Sequence, residues 1–169
     1  MIGGNRSRSS RIDTRPTAPF REEHSDLLEH LDHLRATARD LPRLAAPERA
    51  AAVATALRFL REVLLPHARA EEEVLYPEWA RLVGYPDAAV PMVHDHEAIV
   101  ARVEQLAATP PDDVATTQEL LYGLHALIRV HFDKEEDIQL PVFDRQSPEA
   151  VAAIIERMGH EHAGAGHSH

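Results

Sequence analysis

HARAEEEVLYP at residues 67–77 and HFDKEEDIQLP at residues 131–141 share one frame: a histidine, three residues, two acids, four residues and a proline. On a helix, residues four apart differ by about 40° around the axis and about 6 Å along it, so His67 with Glu71, and His131 with Glu135, each aim at one point. The surrounding apolar residues say where that point lies. Val53, Leu57, Leu60, Leu64, Val74 and Leu75 recur at helical spacing around the first segment, and Leu120, Leu124, Leu127, Ile128 and Ile138 around the second. In both, the His and Glu fill the gap in the stripe, on the side that must be buried.

Two further stripes match each other. Phe20, Leu27, Leu31 and Leu34 predict a helix ending near Leu41-Pro42, and Met92, Ile99, Val103 and Leu106 predict one closed by Thr109-Pro110-Pro111. His24 and His96 complete these stripes, each preceded by an acid, Glu23 or Asp95. The chain therefore reads as two helix pairs, each contributing a lone His and then a HxxxE.

Gly84 is expected to stop the second helix, Pro66 to kink or break it directly before His67, and Asp112 to cap the fourth. Ser147-Pro148 opens a short fifth helix with Val151, Ile154, Ile155 and Met158 inward, ending at Gly159. The predicted fold is all-α: an up-down-up-down antiparallel four-helix bundle over residues 19–145, with a short C-terminal helix over 146–159. Residues 1–18, a basic arm with four Arg, and the His-rich tail 160–169 carry no apolar pattern and are expected to be disordered.

At 169 residues the chain suits one domain with a real core. The absence of cysteine removes thiolate metal sites, disulfides and redox thiols. A formal charge of -10 argues against nucleic acid as a partner. No apolar run reaches the length of a membrane span and the N-terminus lacks a signal-peptide core, which makes the cytoplasm the expected compartment. No nucleophile elbow, phosphate loop or dinucleotide fingerprint is present.

The twelve histidines are the informative excess. His24, His67, Glu71, His96, His131 and Glu135 would converge in the bundle interior, where two ionised carboxylates without a partner cost several kcal/mol each. A bound cation removes that cost. Imidazole and carboxylate without sulfur suit iron, manganese or zinc rather than an all-oxygen calcium or magnesium cage. Six residues over-fill one tetrahedral zinc, whereas two octahedral metals offer about twelve positions. Two bridging glutamates and four histidines fill about eight, an oxo or hydroxo bridge about two more, and roughly two remain for an exogenous ligand.

These six residues, over about residues 19–145, resemble the motif of the hemerythrin-like family, the HHE cation-binding domains. The resemblance implies a non-haem centre of two iron ions in a four-helix bundle, bridged by Glu71 and Glu135. Oxygen-carrying hemerythrins are similar but have a HxxxH on the third helix, where this chain has Val100 four residues after His96. The fourth helix carries HxxxE where the carriers place an aspartate five residues on. These departures point toward the varied bacterial and regulatory members, which are linked to sensing, iron handling, peroxide or nitric oxide chemistry. The expected partner is then a small diatomic or peroxide ligand. An iron-storing or sensor module without turnover, and a structural bundle holding zinc or manganese, are the other readings; ferritin-like bundles use ExxH instead.

The remaining candidates receive plainer roles. Glu72, Glu73, Glu136 and Asp137 read as a solvated acidic face. His30, His33, His94 and His125 fall off the ligand face. His160, His162, His167 and His169 are either a loose metal-delivery tail or a passive one. Tyr76, Trp79 and Phe143 are expected to close the core beneath the metal.

Overall fold

The computed structural model describes residues 13–110 and 112–165, an all-α bundle with no strand among them. The five helices are α1 (Ala18–Asp40), α2 (residues 46–83), α3 (Val90–Ala108), α4 (residues 114–143) and α5 (Pro148–Ala165). None of the described helices is long and apolar enough to cross a membrane.

Local chemistry sets the ends. Gly84 ends α2 at φ 70°, a left-handed conformation that costs other residues a Cβ clash. Asp113, not Asp112, caps α4: its carboxylate accepts the Thr116 N–H at 3.1 Å, the N3 position that a capping side chain serves. Ser147 accepts the Ala150 N–H at 3.2 Å and opens α5 as its sequence predicts. That helix runs through Gly159, which has no positive φ, to Ala165. The side chains of the tail histidines lie outside the described residues, as do residues 1–12 of the basic arm. Within the rest of that arm, Thr17 is fully buried and donates its hydroxyl to Asp144 at 2.6 Å, so the bundle begins earlier than apolar patterning indicates.

The long helices lie side by side. Gln118 of α4 donates to the Ala38 carbonyl of α1, while His24 of α1 meets Glu136 of α4, so this pair runs in opposite senses. His30 stacking on Phe59 and His67 meeting Glu23 show the same for α1 and α2.

Buried apolar residues form two clusters. Leu31, Leu34, Leu60, Val103, Leu121, Leu124 and Ile128 are among the first, and Phe20, Leu75, Met92, Leu140 and Phe143 among the second. On α5, Val151, Ile154 and Met158 join the second cluster and pack against residues 65–75 of α2. His24, His67 with Glu71, His96, and His131 with Glu135 fall where each long helix passes from one cluster to the other, so a polar layer has an apolar cluster on either side.

Three π-helical turns interrupt the ladders: Leu60–Leu64 and Glu71–Leu75 in α2, and Glu135–Gln139 in α4. Each is followed by a residue that donates its N–H five residues back and then by a proline: Leu65 before Pro66, Tyr76 before Pro77, Leu140 before Pro141. A wide turn accommodates a ring that would collide with the carbonyl four residues earlier in a regular helix. The expected break before His67 takes this form. The turn in α4 also corrects the predicted stripe: Ile138 is 57% exposed, and Gln139 and Leu140 point inward instead. One extra residue in the turn rotates everything after it by roughly 100°.

Candidate metal centre

All six predicted residues meet in the polar layer, and each is at most 4% exposed. α1 and α3 supply His24 and His96, and the two π-turn helices supply His67 with Glu71 and His131 with Glu135. In each HxxxE, the Glu opens its π turn. His67 Nε2 lies 2.9 Å from Glu71 Oε1, and His131 Nε2 lies 3.3 Å from Glu135 Oε1.

The two carboxylates are shared. Glu71 turns Oε1 toward His67 and His24 (3.6 Å) and Oε2 toward His96 (3.4 Å). Glu135 turns Oε1 toward His131 and Oε2 toward His24 (3.7 Å). Two groups of ligand atoms result, His24-His67-Glu71 and Glu71-His96-His131-Glu135, joined through Glu71. The donor set fits a pair of cations. Both Glu71 oxygens, Glu135 Oε2 and His24 Nε2 are buried and make no hydrogen bond of normal geometry. Burying such groups without a compensating charge is costly, and two cations between the histidine pairs would satisfy them.

The family comparison agrees with this geometry. Residues 15–143 match the model of the hemerythrin HHE cation-binding domain. The chain belongs to that family. No curated protein and no solved structure matches it. Membership of this HHE family makes the chain a cation-binding module, and the buried cluster holds groups of side chains that could bind the cation.

Beyond the predicted set, this HHE domain has an outer ring of carboxylates. The Nδ1 atom of each buried histidine meets an acid from another helix: His24 with Glu136 at 2.8 Å, His67 with Glu23 at 3.0 Å, His96 with Glu72 at 2.8 Å and His131 with Asp95 at 3.1 Å. Such a partner fixes the tautomer with hydrogen on Nδ1, so that Nε2 presents its lone pair inward. Glu72 and Glu136 are therefore not simply solvated acids, whereas Glu73 and Asp137 are exposed as expected. A sequence signal existed: each outer acid is next in the chain to an inner residue, in Glu23-His24, Glu71-Glu72, Asp95-His96 and Glu135-Glu136. Arg21 pairs with Glu136, and Lys134, the only lysine, pairs with Asp95.

Without a cation, protons carry the compensation. Burial alone would lower His24, but Glu136, Glu71 and Glu135 outweigh it and raise its pKa to about 9. Against the same burial, Glu71 and Glu23 raise His67 well above its usual value, and Glu135, with smaller contributions from Glu71 and Asp95, raises His131. Burial would raise Glu71, yet His67, His24 and His96 hold it well below the carboxylate range.

His30, His33 and His94 are exposed, and His125 is half-buried beside Asp32 at 3.5 Å; none reaches the centre. Phe143 is buried in the second cluster and Trp79 packs against it, as their sequence role predicts. Tyr76 is different. Its ring is buried among apolar neighbours, but its hydroxyl donates to Glu135 Oε1 at 2.8 Å inside the polar layer.

Proposed function

We propose that this HHE domain holds two iron ions and uses them to bind or react with a small oxidant: oxygen, peroxide or nitric oxide. The observation that carries this reading is the sharing of both glutamates between the two histidine pairs, one oxygen of each facing each pair. A single ion held by Glu71, His96, His131 and Glu135 leaves the buried His24 and His67 unused.

When bound, paired iron supplies Lewis acidity and exchangeable electrons for a small oxidant. The protein contributes geometry and burial. His24, His67, His96 and His131 are aimed by their outer carboxylates, and Glu71 and Glu135 span the centre. Phe132 stacks on His24 at 4.7 Å and meets His67 edge-on at 5.9 Å, an apolar wall against bulk water on that side. The four histidines and two glutamates leave roughly two octahedral positions for an exogenous ligand and about two for a bridge.

Metal analysis of protein purified without added metal is expected to find about two irons per chain. One zinc, or no metal, would overturn the reading. With iron present, visible spectra after adding oxygen, peroxide or nitric oxide distinguish reversible binding from turnover.

A further inference from the structure

The two repeats place different residues at their tenth position: Tyr76 in the first and Leu140 in the second. Both are buried and both donate their N–H across a π turn, so the backbone treats them alike. Only Tyr76 brings a polar atom. Its hydroxyl lies 2.8 Å from Glu135 Oε1, 3.2 Å from His131 Nε2 and 3.3 Å from His96 Nε2.

Those distances have a coordination meaning. With metal–donor bonds of about 2.1 Å, neighbouring donors of an octahedron lie about 3 Å apart. The accepted donors on this side show that spacing: His96 Nε2 to His131 Nε2 is 2.8 Å, His131 Nε2 to Glu135 Oε1 is 3.3 Å, and His96 Nε2 to Glu71 Oε2 is 3.4 Å. The phenol oxygen keeps the same spacing to three of these four atoms. A tyrosine that merely closed the core would have no reason to place its oxygen at equal reach of two imidazole nitrogens and a carboxylate.

We propose that Tyr76 is a fifth protein ligand on the His96-His131 side of the centre, binding its metal through the phenol oxygen. This rests on the two-iron reading above. On ligation the O–H bond is replaced by an oxygen–metal bond, the proton leaves the site, and no electron is transferred. At the matching place on the other side Leu140 offers no donor, so the two metals are inequivalent.

The test uses full-length protein loaded with ferrous iron and oxidised to the ferric state with ferricyanide. Phenolate bound to ferric iron gives a visible charge-transfer band, and excitation into it yields the ring vibrations of bound phenolate by resonance Raman. Wild type and Tyr122→Phe, a change at an exposed tyrosine, are expected to show both signals. Tyr76→Phe keeps the ring, and is expected to keep wild-type helicity and iron content while losing both. Iron-loaded wild type without phenolate modes, or Tyr76→Phe that retains them, overturns this assignment and leaves the two-iron reading standing. Wild type that takes up no iron overturns both.

Discussion

Nδ1 of His24 lies 2.8 Å from Oε1 of Glu136, 112 residues further along the chain. The contact joins the first helix to the fourth and links an inner imidazole to the residue directly after Glu135. Metal ligands are oriented by such contacts, and their loss typically costs about 10–100-fold in metal affinity. Glu136→Ala is therefore expected to weaken metal binding by about that factor while the helical fold persists, because Arg21 keeps its second partner, Asp144. Competition against a chelator measures it. An affinity equal to wild type would mean that the outer ring does not aim the histidines.

The face assignment has its own test. His67→Ala and Glu135→Ala each remove a buried donor from the centre and are expected to abolish or strongly reduce metal content. His30→Ala and His33→Ala are expected to leave it unchanged, since both residues are exposed and point toward Phe59 and each other. Metal analysis of the four variants decides, and equal content in all four would refute the face.

The convergence of the six inner residues was legible in the sequence because a 3.6-residue period converts spacing directly into direction, and the repeated HxxxE frame fixed that direction twice. Two things escaped it. The outer acids look like a solvated run along one helix, and their role depends on which helix lies alongside, which is tertiary information. The inward turn of Gln139 and outward turn of Ile138 depend on a π turn that no periodicity contains. Pro77 and Pro141, six residues after Glu71 and Glu135, mark those turns only once the structure shows what the prolines accompany.

That register shift can be measured. Ile138→Ser alters an exposed side chain and is expected to change stability by no more than about 0.5 kcal/mol, although the residue belongs to the apolar stripe of the sequence. Leu140→Ala, at a fully buried position, is expected to cost about 2–5 kcal/mol. Denaturant melts of the two variants would reverse in order if α4 continued as a regular helix.

The proton load of the metal-free centre sets opposite pH dependences for the two states of the protein. His24 is raised from 6.5 to about 9 in the fold, mainly by Glu136 and Glu71 working against burial, and His67 and His131 shift the same way. A group whose folded pKa is raised contributes stability that is fully present below its unfolded value and disappears as pH climbs through the folded one. Chelator-treated protein is therefore expected to lose Tm as pH rises from about 6.5 to about 9. Metal binding runs the other way, since the Nε2 atoms of these three histidines must shed their protons to become donors; affinity rises over the same interval, and loading at neutral pH releases protons. Thermal melts of the metal-free protein and a pH indicator during metal titration check both halves. A metal-free Tm that climbs across that interval, or loading without proton release, would show that the buried histidines are neutral before the metal arrives.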